Sequence, residues 1–547
     1  MRFTRRLPAA AALGAALVAT HLVPTPPPAV ANVNQQAMIE DDPHLDAQPF
    51  QTLRTFRLLG ATVVRVFVPW SKIAPDPNST NAPRNFNGSN PASYPAANWV
   101  TWDNIDLAAK EYGITVDLMP AGGSPRWVDG AGIPSAVKNN PNRAWNPSAG
   151  AYGAFMRALG TRYSGRYVPK GFSTPLPAVH FWSIWNEPNF GEDLAPQAID
   201  GSRVSYAPGM YRGLVNAGWS ALQGTGHGRD TILIGGLAAR GASGPVTRSH
   251  PQGLPGNFAQ TKPMQFIRTL YCVNSSYQEL RGSSAAQVGC PTSSAASRRF
   301  RTGNPGLFQA SGFGIHPYPQ NQPPTTELSP DPDYVAFPEI PRLESGLDRL
   351  QRTYGSGTRL AIYNDEYGYI SNPPNHGQFV NPATAAFYIN WAEYLSYKNP
   401  RIATTMQYLL YDPAPTSGAD FASGLLFQSG TRKTSYYAYR LPLLMPSTSA
   451  RRGHSLEVWG DARPGPYEQR ATGKPQVVQV QLQRGSTWTT VKRVPITTAH
   501  GYFDVPVTFP ASGTVRLAWA YPAADPLLPS TALGATVYSR SQKITIH

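Results

Sequence analysis

The stretch Val179-His180-Phe181-Trp182-Ser183-Ile184-Trp185 runs directly into Asn186-Glu187-Pro188-Asn189. This largely β-branched and aromatic run reads as a strand, and Pro188, three residues after Trp185, stops it. A carboxylate therefore stands at a strand's C-terminal end. The same grammar recurs at Leu360 to Asp365, which leads into Glu366-Tyr367-Gly368. Working outward, strand-like runs occupy Thr62 to Pro69, Ile114 to Pro120, Thr231 to Gly235, Phe313 to Tyr318 and Ala403 to Leu410, with a shorter one at Ala37 to Glu40. Helical periodicity fills Trp102 to Tyr112, Ala149 to Tyr163, Tyr206 to Leu222, Arg342 to Tyr354 and Pro382 to Tyr397. Eight strands alternating with helices over some 400 residues predict an α/β fold with a closed (β/α)8 TIM barrel. An open doubly wound sheet is the competing arrangement, but its nucleotide-binding glycine loop is missing, because Gly224, Gly226 and Gly228 have the wrong spacing and precede a strand.

The 547 residues exceed one ordinary domain. At 41% hydrophobic and 14% charged, the chain can fill a large core and does not resemble charge-rich disorder. The 49 Gly and 55 Pro predict many loops. Residues 1–31 read as a secretory signal: Arg2, Arg5 and Arg6, an apolar run from Leu7 to Val23, and Ala29-Val30-Ala31 as the cleavage site. The barrel should occupy 32–445. Beyond Leu444 the pattern changes to short alternating runs between Leu456 and Ala520, which predicts a small C-terminal β-sandwich over 453–522, with 523–547 as a tail. In the sandwich, Trp459, Trp488 and Trp519 either bind polysaccharide or pack; the alternation favours packing.

Net charge is +15, yet the basic clusters are short and no nucleic-acid motif is present, so no nucleic-acid partner is expected. No second segment is long and apolar enough to span a membrane. The ten His show no metal-binding spacing, so neither a metal nor another cofactor is expected. In a secreted protein, Cys272 and Cys290 would pair as a disulfide across a Ser/Ala/Gly-rich insertion. That insertion, Tyr271 to Gly312, could also close one end of a binding groove.

In a barrel the C-terminal strand ends converge on one mouth, so Glu187 and Glu366 should meet there. Glycoside cleavage uses such a pair of carboxyls. The two motifs resemble those of clan A of the glycoside hydrolases, where Asn-Glu-Pro closes the fourth strand and Glu-(Tyr/Phe)-Gly the seventh. Trp185-Asn186-Glu187-Pro188-Asn189 is most similar to family 39, with family 5 next. The likeness spans roughly 35–445 in architecture and is sharp over some thirty residues. It implies a retaining O-glycosidase working by double displacement, with Glu187 as acid/base and Glu366 as nucleophile. It prefers Glu366 over the adjacent Asp365, and it requires a bulge or twist that brings Asn186 and Glu187 to one side.

The resemblance further implies substrate-site roles for Arg65, Asn186, His316 and Tyr318. It suggests Trp127 as a sugar-walling aromatic, and Tyr408 or Gln407 where relatives carry a tryptophan on the eighth strand. The implied partner is a polysaccharide or oligosaccharide, met outside the cell or at its wall. A transglycosylase or a non-catalytic carbohydrate-binding protein on the same barrel would share these residues.

Overall fold

The computed structural model describes residues 31–138, 140, 143–198, 205–242, 258–416, 420–463 and 473–547. The signal-like segment lies almost wholly outside the described residues. Eight parallel strands close into a barrel in chain order: β1 (Gln36–Glu40), β2 (Val63–Pro69), β3 (Thr115–Ala121), β4 (Phe181–Ser183), β5 (Thr231–Ala238), β6 (Gly312–His316), β7 (Ala361–Asn364) and β8 (Ile402–Tyr408), with β1 pairing both β2 and β8. The strands are apolar along almost their full length because helices cover the outside and side chains fill the inside. Val64, Trp182, Ile232, Phe313 and Ile362 are all buried. The open-sheet alternative is excluded by the β1–β8 pairing.

The helices obey local rules. Asn381 caps Pro382–Tyr397 by accepting from the Thr384 N–H, with proline at the first position. Gly113 ends Val100–Tyr112 in the left-handed conformation at φ 64°, where a side chain would be strained.

The second unit is a two-sheet sandwich built from β9 (Leu443–Leu444), β10 (Ser449–Ala450), β11 (Ser455–Asp461), β12 (Val477–Arg484), β13 (Thr487–Pro495), β14 (Tyr502–Thr508), β15 (Gly513–Ala520), β16 (Thr536–Tyr538) and β17 (Gln542–Ile546). One sheet runs β10-β17-β15-β12-β13 with β16 also on β15; the other runs β14-β11-β9. Two expectations need correction. The stretch 523–547 is not a tail: β16 and β17 both pair β15, and Ile544 and Val537 are buried in the sandwich core. The insertion 271–312 follows the helix Pro263–Leu270 and feeds the start of β6, so it belongs to the barrel's N-terminal end and cannot close a groove at the mouth. Cys272 and Cys290 are disulfide-bonded within it. Among the described residues no helix is long and apolar enough to cross a membrane.

The sandwich is packed hard against the barrel. Trp459 is buried between Tyr394 and Tyr397 of the helix Pro382–Tyr397 and Tyr502 of β14. Arg463 is buried with Asp461 at 2.6 Å and bonds Glu393 of the barrel. Arg57 of the barrel pairs with Asp525 at 2.6 Å. A side chain at Gly60 would collide with Arg463, so glycine is what permits this approach. Trp519 is also core, and Trp488 lies beneath the Arg516 guanidinium at 3.9 Å.

Candidate active site

Glu187 reaches the mouth by abandoning strand geometry. β4 is only three residues long, and after it Trp185 and Glu187 take φ of 70° and 34°. Such values are rare for residues with a Cβ and cluster where surrounding structure enforces them. Here the Ile184 N–H is held by the Leu233 carbonyl and the Glu187 N–H by the Gly236 carbonyl, both at 3.0 Å. The distortion turns Asn186 and Glu187 toward the same set of partners, as the likeness requires.

Those partners converge on Arg65 and His316. Arg65 donates to Glu40 (2.6 Å), Glu366 (3.0 Å) and the Asn186 side-chain oxygen (2.8 Å). Tyr318 donates its hydroxyl proton to the other Glu366 oxygen at 2.8 Å. His316 is fully buried, with Nδ1 2.9 Å from Glu187 and 3.2 Å from Glu366. Its Nε2 lies 3.2 Å from the Arg65 Nη2. A guanidinium can only donate, so Nε2 must be the bare nitrogen and Nδ1 must carry the proton. His316 is thus a neutral donor shared by the two glutamates, and burial pushes its pKa down in agreement.

The two glutamates differ in their surroundings. Glu187, with His316 as its donor, is pushed by burial to about 7, against the pull of Arg65 and Arg240. Glu366 is also raised by burial, but His316 and Arg65 oppose that rise and Tyr318 adds a third donor. For Arg65, burial alone would lower the pKa; Glu40, Glu366, Asp365 and Asp117 outweigh it and hold the cation firmly charged.

Asp365 occupies the floor. It sits 3.8 Å from His316 Nε2, and a side chain at Gly314 would run into its carboxylate. Its side chain is 2% exposed, against 14% for Glu366 and 16% for Glu187, so the two glutamates are the ones that open to the mouth.

Tyr408 stands edge-on to Tyr318 and to Phe421, next to Glu366. Gln407 instead points into the wall, donating to the carbonyls of Tyr408, Leu409 and Ser423. Trp127 is half-buried and packs edge-on against Trp70 and Phe86, with its N–H on the Pro75 carbonyl. These contacts make it a support of the β2–β3 loop region, and none joins it to the carboxylate cluster.

Three members of the cluster have no sequence signature. Glu40 ends β1 and pairs with Arg65. Asp117, buried in β3 and held by the Ser183 hydroxyl, is driven to about 7 by burial. Asp193 accepts from the Asn186 amide at 3.4 Å and is raised well above the usual range by burial and by Glu187. Each is a single acid in an unremarkable local sequence. The Glu187, His316 and Glu366 ligand atoms lie within 4.8 Å of one another, a donor set that could also take a metal ion, although the Arg65 guanidinium already occupies the Glu366 side of it.

No protein-family model and no curated protein matches the sequence. Among solved structures, the chain is similar to a family 39 glycoside hydrolase from the gut symbiont Bacteroides cellulosilyticus WH2 at 14% identity and a TM-score of 0.46, covering 87% of this chain and 79% of that one. It is similar to a glucosidase from Croceicoccus marinus at 13% identity and 0.44, covering 94% of each. It is similar to the family 1 b-glucosidase from Thermotoga maritima at 14% identity and 0.41, covering 72% and 85%. All three scores are below 0.5, and the barrel assignment stands on its own strand pairing.

Proposed function

We propose that the protein is a secreted retaining O-glycosidase of the clan A type, acting on a polysaccharide or oligosaccharide. The supporting observation is the carboxylate pair at the mouth. One oxygen of Glu187 and one of Glu366 lie within 4.8 Å of each other, an approach that favours the ~5–5.5 Å carboxyl spacing of retaining enzymes over the ~6.5–9.5 Å of inverting ones.

The surroundings of each glutamate suit one half of a double displacement. Glu187, at about 7, holds a proton near neutrality and delivers it to the departing glycosidic oxygen. Glu366 is fixed by Arg65 and Tyr318 at separate oxygens, which positions it to bond the anomeric carbon. Tyr318 and Arg65 then stabilise the carboxylate that re-forms. Glu187, having lost its proton, takes one from water, and the hydroxide displaces Glu366. Asn186, with its oxygen held by Arg65, presents its amide as donor to the sugar's 2-hydroxyl. Tyr408 supplies the aromatic face beneath the sugar.

The test is hydrolysis of a panel of polysaccharides and aryl glycosides by native protein and by Glu366→Ala, with the anomer of the first product read by NMR. Retained configuration from native protein alone supports the reading. Inverted product, or equal release by Glu366→Ala, rejects it. Secretion is checked separately, by the N-terminus of the protein recovered outside the cell: a start near Asn32 is expected.

A further inference from the structure

Beside the carboxylate pair is a cavity of about 340 Å3, walled by Tyr318, Gln320, Gln378, Phe379 and Phe421, and Arg240 stands on its rim two residues past β5. Through Tyr318 this space is continuous with the group that holds Glu366. Two other arginines in loops of the same barrel face are committed. Arg126 bonds Asp129 and the carbonyls of Val137 and Asn140, and Arg143 pairs with Glu192. Arg240 makes no hydrogen bond, ion pair or ring contact among the described residues.

A neutral sugar would be served by what the cavity already has: the amides of Gln320 and Gln378 for hydroxyls, and Phe421 for an apolar C–H face. A guanidinium adds a planar fork of donors that matches a carboxylate or sulfate through two parallel bonds. The mouth also presents the Glu366 carboxylate, so an anionic ligand entering here is helped by a local cation beyond Arg65, which is already paired with Glu40 and Glu366. The chain's +15 net charge works in the same direction at longer range.

We propose that this cavity is the subsite for an acidic sugar, bearing a carboxylate or a sulfate ester, next to the sugar being cleaved, with Arg240 as the residue that selects it. The proposal rests on the glycosidase reading and deepens it. It also couples recognition to chemistry. Free Arg240 pulls down the pKa of Glu187; an anion seated on it cancels that pull and keeps Glu187 protonated to higher pH.

The experiment is binding by titration calorimetry, using native protein, Arg240→Gln and Arg240→Lys. The ligands are uronate-containing oligosaccharides with their carboxyl-reduced counterparts, and sulfated oligosaccharides with their desulfated counterparts. Native protein should bind one acidic member about 10-fold or more tightly than its matched neutral, the size of one charge-assisted pair. Arg240→Gln should lose that preference while keeping its affinity for the neutral ligand, and Arg240→Lys should keep part of it. Which matched pair shows the difference separates carboxylate from sulfate. Equal affinity for acidic and neutral members, or a preference that survives Arg240→Gln, overturns the proposal. Acidic ligands bound tightly but never cleaved would reject the glycosidase reading and leave Arg240's role standing. Cleavage of neutral substrates alone, with no acidic preference, would do the reverse.

Discussion

The mouth of the barrel and the seam between barrel and sandwich each bury an arginine among carboxylates, and they do opposite things. At the seam, Arg463 meets Asp461 and Glu393, and all three are 2% exposed or less. At the mouth, Arg65 meets Glu40 and Glu366 and feels Asp117 and Asp365, while Glu366 and Glu187 still touch solvent. A charge cluster sealed on every side can only hold surfaces together. One that is open at one end, with more acids than cations, keeps protons mobile at its rim. Burial raises carboxylate pKa values in both places, but only at the mouth can a substrate use the result.

Five experiments break or sharpen that contrast. Glu366→Ala should abolish turnover while leaving the melting temperature within a few degrees of native, because the group removed is partly exposed; a large loss of stability would make the mouth a structural cluster like the seam. Glu187→Gln should slow hydrolysis of poor leaving groups by ~10²–10⁴-fold and that of activated aryl glycosides far less. Arg463→Met should do the reverse. It strands Glu393 and Asp461 in the seam, costing about 3–5 kcal/mol in chemical denaturation, with activity per folded molecule unchanged. The pH profile of kcat/KM should fall on the alkaline side near 7, since Glu187 must be protonated to donate and its pKa stands at about 7; a limb beyond pH 9 would remove Glu187 from the acid's role. Smallest of all, Trp488→Ala should cost about 0.5–1 kcal/mol from its stack on Arg516. Its retention on insoluble polysaccharide should not change, and a clear drop would mean that the sandwich binds sugar.

The barrel was legible because its strands are long apolar runs bounded by turn residues, and because two of them end in a carboxylate followed by Pro or by Tyr-Gly. Arg65 inside β2, and His316 and Tyr318 at and just past the end of β6, were reached through the resemblance that those two motifs carry. The acids that complete the site did not. Asp117 lies inside β3 with a one-residue footprint, and Asp193 sits in a loop; what brings them in is the shape of the mouth. Trp127 and Gln407 show the converse: both occupy plausible sequence positions, yet one packs beside Trp70 and the other fastens the Ser423 loop. The last strands were hidden by brevity, since Thr536–Tyr538 and Gln542–Ile546 are too short to announce themselves without the edge of β15 to pair with.

The Arg57–Asp525 pair joins residues 468 positions apart. Arg57 belongs to the helix Pro49–Leu59 between the barrel's first two strands, and its partner lies in the sandwich that follows the barrel. During synthesis, that helix emerges some 468 residues before the carboxylate it pairs with. The first βα unit is therefore sealed by the sandwich, and its completion is coupled to folding of the unit that follows the barrel.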